Sequence, residues 1–248
     1  MNLPPGVEAA DRLPFGRAVA LHLLPGTLTM AALLALTPAL VRAGWPRVMA
    51  YQVAVGLVGI PVMLGVVLLH ARRTTGRANL WAAIRYRERQ PLWVYPAVLV
   101  PMLAWAFGLL VANGRLREYL GRHAFAWLPA YLLPDWRPPA PPDRALLLAA
   151  LVLQLLVDGL AAPVAEELYF RGFLLPRLGH LGAWAPAFNA ALFTVQHWWQ
   201  PYNWAQIFLI MLPLVYLVWW RRGVWISVVM HCAGNSIGAL LALWEFWG

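Results

Sequence analysis

Polar side chains that could support catalysis cluster in the last third of the chain. They are two adjacent acids, Glu166 and Glu167, two imidazoles, His197 and His231, and one carboxamide, Asn235. Each lies at or inside a long apolar run, where polar side chains are costly and usually face the interior of a helix bundle. Because these elements fall on separate runs, we expect them to converge on one polar pocket.

Helical spacing indicates how these side chains are arranged. Adjacent residues of a helix diverge by about 100°, so Glu166 and Glu167 cannot point the same way, whereas residues four apart share a face. Glu167 can therefore pair with Arg171, and Glu166 projects elsewhere. His231 and Asn235 are also four apart, so their side chains leave the last apolar run together.

This set of side chains suits the hydrolysis of an amide bond. Glu166 could orient and deprotonate a water molecule, with His197 alongside as an assisting base. His231 and Asn235 could then donate hydrogen bonds to the oxyanion that forms when water adds to a carbonyl group.

Zinc offers a competing assignment, because Glu166, His197 and His231 could supply three ligands. The side-chain amide of Asn235 is a poor zinc ligand, and the chain lacks the H-E-x-x-H signature. We therefore favour activation of water without a metal and keep zinc as the alternative.

Two further residues lie close to this set in the sequence. Cys232 follows His231 directly and so points about 100° away from it, which argues against a catalytic thiol. Asp158 lies two turns before Glu166 and could support the pocket, but we favour a hydrogen bond within its own helix.

The elements that position these residues must be membrane helices. Hydrophobic residues make up 62% of the 248-residue chain and charged residues only 12%, about half the charged share of a soluble domain. Several apolar runs reach the roughly 20 residues that cross a bilayer core. The net charge of +9 is expected to face the cytoplasm and anionic lipid, so the composition predicts lipid contacts and no nucleic-acid binding.

The chain is therefore predicted to be an all-α, polytopic transmembrane helical bundle with about seven spans. Residues 1–144 form an N-terminal transmembrane region with a basic segment at 72–90 and a proline-rich linker at 114–144, and residues 145–248 form the catalytic core. Pro163 is expected to kink the fourth span. The apolar runs assigned as spans are residues 18–41, 48–71, 91–113, 145–164, 181–196, 204–220 and 224–244.

The distribution of arginine predicts the orientation in the membrane. All 19 basic residues are Arg, and most fall on the side that holds the N-terminus and residues 72–90. Loops rich in basic residues face the cytoplasm. We therefore expect an integral protein of the bacterial inner membrane with a cytoplasmic N-terminus.

Three short motifs resemble those of a known family. A-E-E-L-Y-F-R-G at 165–172, F-T-V-Q-H at 193–197 and H-C-A-G-N at 231–235 are similar in order and spacing to the motifs of the CPBP intramembrane proteases. That family includes type II CAAX prenyl endopeptidases and bacteriocin-processing or immunity proteins. The resemblance implies that Glu167 and Arg171 hold the first motif in shape.

The resemblance also implies a role for each remaining motif residue. Glu166 would be the base that activates water, His197 would assist it, and His231 and Asn235 would stabilise the oxyanion. The implied fold is an all-helical membrane bundle with a cavity open toward the cytoplasm. The implied substrate is a peptide or protein with a membrane-associated segment, and members have been described both as metalloproteases and as metal-free enzymes.

The sequence leaves two rival functions beside an intramembrane endopeptidase. One is a non-catalytic immunity or scaffold protein of the membrane that keeps the pocket but only binds a peptide partner. The other is a proton-coupled transporter that uses Glu166 and the histidines as a relay, and the absence of internal repeats counts against it.

Overall fold

Long apolar helices make up most of the protein, as the apolar runs predict. The computed structural model describes residues 11–137 and 143–247, and within these ranges it contains no β-strand, only an isolated bridge between Arg87 and Gly223. The all-α fold class is therefore confirmed. The helices are α1 (Phe15–Arg42), α2 (Arg47–Thr75), α3 (Leu80–Ala83), α4 (Val94–His123), α5 (residues 144–174), α6 (Ala185–Val195), α7 (Trp204–Arg221) and α8 (Val224–Trp247).

The outer surface of the bundle is suited to lipid. In the described residues, six helical stretches are long and apolar enough to cross a membrane. Large apolar side chains on α4 are exposed, among them Val100 and Val111 at 68% each, which water would not favour. The protein is an integral membrane protein. The predicted number of about seven spans is not confirmed, because residues 144–195 form one continuous stretch that includes the predicted fourth and fifth spans.

The predicted linker at 114–144 begins later than expected. Helix α4 continues to His123, so residues 114–123 are helical, and the non-helical part follows them. The predicted start of the linker at residue 114 is wrong. It was placed where the sequence stops being apolar, but a helix can continue beyond its apolar residues. The cluster of Pro138, Pro139, Pro141 and Pro142 lies outside the described residues. Helix α5 then starts at a side-chain cap, since Asp143 accepts hydrogen bonds from Ala145 N and Leu146 N.

The basic segment at 72–90 contains the short helix α3, capped by Asn79, and then packs on the protein in an extended form. Arg85 N donates to the carbonyl of Gly172 in α5 at 3.0 Å. Glu88 N donates to the carbonyl of Arg222, between α7 and α8, at 2.9 Å. The segment therefore ties the ends of three transmembrane helices together.

Helix α5 is central and irregular. Two π-helical stretches, Val157–Ala161 and Glu167–Leu174, are separated by an α-helical stretch that contains Pro163, the residue predicted to cause a kink. Every residue of the second stretch is buried. A wider π turn changes the direction of the side chains that follow it and often marks a functional site.

Helix α6 is shorter than the predicted span at 181–196. Gly182 has a φ of 54°, which interrupts the helical path before Ala185. The 11 residues of α6 rise by about 16 Å, half the hydrocarbon thickness of a bilayer. This helix is therefore too short to cross the bilayer core by itself. Gly26 of α1 packs so closely on the backbone carbonyl of Gln196 that a Cβ atom would overlap it.

A cluster of charged side chains joins the chain segment before α1 to α5 and the basic segment. Asp11 contacts Arg85, lies 3.0 Å from Arg177 Nη2 and lies 3.4 Å from His70 Nε2. Partial burial raises the pKa of Asp11, but the hydrogen bond with His70 and the charges of Arg177 and Arg85 outweigh it and hold the pKa below its usual range. The ionised carboxylate therefore stabilises the fold.

We predict that Asp11→Asn lowers the free energy of unfolding by about 1–2 kcal/mol at neutral pH, because the amide keeps the size but loses the charge. Because the pKa of Asp11 is lower in the folded protein than in the unfolded chain, the ionised carboxylate stabilises the fold at pH values above the unfolded pKa. This stabilisation is lost as the pH falls through the folded pKa. The difference in melting temperature between the wild type and Asp11→Asn should thus shrink progressively as the pH falls below about 4. Asp135→Asn, in an exposed ion pair with Arg122, is the control and should change little. An Asp11 effect independent of pH would contradict this account.

Candidate active site

A cavity of about 740 Å³ lies among α1, α2, α4, α5, α7, α8 and the loop after α6. Its lining includes Glu166, His197, His231 and Asn235, so the structure brings these residues together. Glu167 and Arg171 lie behind the wall of the cavity, each with a fully buried side chain. Irregular backbone at membrane depth is tolerated where it lines a cavity, and Trp199 and Gln200 of the loop after α6 do so.

Glu167 and Arg171 form a buried ion pair at the start of the second π-helical stretch. Their closest atoms, Oε1 and Nη1, are 3.2 Å apart, as the spacing of four residues predicts. The guanidinium also lies 4.1 Å from the centre of the Phe193 ring in α6. The pair therefore neutralises its own charge and fixes α5 against α6.

His231 links both glutamates. Its Nδ1 donates to Glu167 Oε1 at 2.9 Å, and its Nε2 lies 3.8 Å from Glu166 Oε2. Because a carboxylate only accepts, Glu167 fixes the proton on Nδ1 and leaves Nε2 facing Glu166. Among the described residues, Glu166 has no other ion pair, so its carboxylate is the one free to face the cavity.

His197 presents the same nitrogen to the cavity. Its Nδ1 donates to the carbonyl of Phe193 at 2.8 Å, which leaves Nε2 as an acceptor. The imidazole packs against Trp199, with ring centres 5.1 Å apart, and only 7% of the residue is exposed. The ring is therefore held in one orientation at the edge of the cavity.

Asn235 has a contact that the sequence did not predict. Its Nδ2 donates to the backbone carbonyl of Asp158 at 3.0 Å, within the first π-helical stretch of α5. The neighbouring Ser236 donates to the carbonyl of Gly159 at 3.2 Å, and Cys232 to that of Leu160 at 3.7 Å. These side chains of α8 thus stabilise successive carbonyls of α5, and the Asn235 amide keeps one further N–H for a ligand.

Asp158 lines the cavity. The prediction that its side chain forms a hydrogen bond within its own helix is wrong. Its carboxylate accepts a hydrogen bond from Tyr51 of α2 at 3.4 Å rather than one from its own helix. The sequence held a signal for its position, since Asp158 and Glu166 are eight residues apart and so share a helix face. Tyr51 was missed entirely, because no motif or spacing connects it with α5.

The described residues do not contain a ready-made group of metal-binding side chains. No group of three or more His, Cys, Asp or Glu side chains in residues 11–137 and 143–247 is arranged to hold a metal ion. Phe193 packs against both His197 and His231, with ring centres 4.9 and 6.2 Å away. Glu166, His197 and His231, the ligands of the zinc alternative, do not form such a group in the part of the chain that the structure describes.

The part of the chain that holds these residues is similar to a known protein family. The family described as type II CAAX prenyl endopeptidase Rce1-like matches residues 148–237. This region of the chain is similar to the Rce1-like family. The Rce1-like region runs from α5 into α8 and contains Glu166, His197, His231 and Asn235. No curated protein and no solved structure matches the chain. The family is one of endopeptidases, so the similarity supports a protease.

The buried ion pair in the Rce1-like region leads to a stability prediction. Arg171→Met should lower the free energy of unfolding by about 3–5 kcal/mol, because it leaves the Glu167 charge buried without its cation. The double variant Glu167→Gln/Arg171→Met should recover much of this loss, since it removes both charges and keeps an oxygen that accepts from His231. Thermal unfolding in detergent measures both. A double variant no more stable than Arg171→Met would contradict the charge argument.

Proposed function

We propose that the protein is an intramembrane endopeptidase in which Glu166 activates the water molecule that attacks a peptide bond. The observation that carries the proposal is the division of the adjacent acids. Glu167 is engaged by Arg171 and His231, while Glu166 lines the cavity with only the 3.8 Å approach of His231. A carboxylate without a fixed cation can accept a proton from water.

The proposed reaction begins with a water molecule bound between Glu166 and His197 Nε2. Glu166 takes a proton from the water as the water oxygen bonds to the carbonyl carbon of the substrate. His231, when protonated, donates from Nε2 to the resulting oxyanion, and the free N–H of Asn235 can add a second hydrogen bond. The tetrahedral intermediate then breaks its C–N bond, and Glu166 returns the proton to the leaving amine.

The shape of the cavity supports a substrate with a membrane-associated segment. Beyond the polar residues, its walls are apolar side chains of α4 and α8, among them Leu103, Phe107, Ile237 and Leu241. Such walls suit an apolar or lipid-modified part of the substrate while the peptide bond lies beside Glu166. Membrane lipid surrounds the exposed faces of the same helices.

We also propose a bacterial inner-membrane location with the N-terminus in the cytoplasm. Contacts of Arg85 with Asp11 and of Glu88 N with the Arg222 carbonyl gather much of the basic charge at one end of the bundle. The excess of basic residues at that end supports its cytoplasmic placement.

Glu166→Gln is expected to lower the rate of peptide cleavage at least about a hundredfold, because the amide cannot take the proton from water. The protein is reconstituted in liposomes with a pool of N-palmitoylated peptides, and new termini are counted by mass spectrometry. Glu118→Gln, at an exposed site on α4, is the matched control and should cleave at the wild-type rate. Undiminished biological activity of a folded Glu166→Gln protein would instead support the immunity or scaffold alternative.

We propose activation of water without a metal, and dialysis against a strong chelator tests this directly. Cleavage of the same peptide pool should continue at the original rate after the chelator is removed. A loss of cleavage that zinc alone restores would overturn the proposal. In that case, Glu166, His197 and His231 would become the ligands to substitute.

A further inference from the structure

The cavity contains a second acid, and one face of α5 presents it together with Glu166. Gln154, Asp158, Ala162 and Glu166 are spaced by four residues, and all line the cavity. In a regular α-helix, twelve residues would rotate the last side chain about 120° away from the first. The π-helical stretch Val157–Ala161 has wider turns and reduces this drift. The irregular turn thus places a second carboxylate on the wall that carries Glu166.

Asp158 differs from the other acids of the protein interior. Glu167 is paired with Arg171, and Asp11 with Arg177, whereas in the described part of the chain Asp158 has no ion pair. Its carboxylate accepts one long hydrogen bond from Tyr51 OH, 3.4 Å away. A carboxylate inside a membrane protein is costly unless it has a partner. The cavity therefore has a place for a positive charge.

The cavity that contains Asp158 also contains a buried polar side chain without a hydrogen-bond partner among the described residues. Gln52, next to Tyr51 in α2, lines the same cavity and is only 1% exposed. Neither its Oε1 nor its Nε2 has a hydrogen-bond partner among the described residues. Buried amides are nearly always hydrogen-bonded, so an amide without a partner beside the cavity is a group that a ligand can satisfy.

We propose that Asp158 is a specificity residue that binds the ammonium or guanidinium group of a basic residue in the substrate. Asp158 and Glu166 are eight residues apart on α5, a rise of at most about 12 Å because the π-helical turns between them are wider than α-helical turns. An extended peptide covers about 3.3 Å per residue, so the basic residue lies three to four positions from the cleaved bond. This inference rests on the proposed endopeptidase function, because it describes how the substrate of that reaction is selected.

The test measures peptide binding rather than cleavage. Full-length Glu166→Gln protein in nanodiscs is mixed with two pools of N-palmitoylated decapeptides, identical except that each peptide carries one Lys or one Glu. Retained peptides are identified by mass spectrometry. We expect an excess of Lys peptides over Glu peptides of about tenfold, since charge-assisted hydrogen bonds are strong in a cavity shielded from water.

Further substitutions in the Glu166→Gln background assign the preference to one carboxylate. Asp158→Asn keeps the size and a hydrogen bond to Tyr51, so it should fold normally and lose the preference for Lys. Asp158→Arg should reverse the preference in favour of Glu. Asp135→Asn, which removes an acid outside the cavity, is the matched control and should leave the preference unchanged.

The possible outcomes separate this inference from the proposed function. Equal retention of both pools, no retention of either, or a preference unchanged by Asp158→Arg would overturn the role of Asp158. If the wild type cleaves peptides without any charge preference, the endopeptidase stands and the specificity residue does not. If the Lys preference appears and reverses but the wild type cleaves nothing, the binding subsite stands and the proposed reaction fails.

Discussion

The Glu167 carboxylate is the group on which the arrangement of the site depends. It is fully buried, and it contacts Arg171 of its own helix at 3.2 Å and His231 of α8 at 2.9 Å. A buried charge without partners is strongly destabilising, so both contacts stabilise the folded state. The contact with His231 joins α5 to α8 and fixes the proton position on His231. The adjacent Glu166 consequently lines the cavity with its carboxylate free of a salt bridge to arginine.

Irregular backbone positions the remaining groups of the site. Side chains of α8, including Asn235 and Ser236, donate to the carbonyls of Asp158 and Gly159 in a π-helical stretch of α5. Helix α6 ends after 11 residues, which places His197 in a loop beside the cavity. Such departures from regular helix are tolerated within a membrane because protein or a cavity surrounds them. Packing within the bundle thus supplies hydrogen-bond partners for polar groups that lipid could not satisfy.

The sequence predicted contacts that follow from helical periodicity, but not those that depend on packing between distant segments. The buried pair of Glu167 and Arg171 follows from their spacing, and long apolar runs indicated membrane helices. The contact of Tyr51 with Asp158 joins residues 107 positions apart, and no periodic pattern encodes it. The number of spans was not predictable from apolar runs alone. Helix α5, the turn at Gly182 and α6 form one continuous stretch in which π and 3₁₀ turns replace a loop.

The central claim is that Glu166 acts as a base toward water and not as a nucleophile toward the peptide. A single turnover of an N-palmitoylated peptide in water labelled with oxygen-18 tests this claim most directly. Mass spectrometry then measures the label in the new carboxyl group of the product and in the protein fragment that contains Glu166. The account predicts one labelled oxygen in the product and none in Glu166. Label in the Glu166 side chain would show that this carboxylate had bonded to the substrate and would contradict the account.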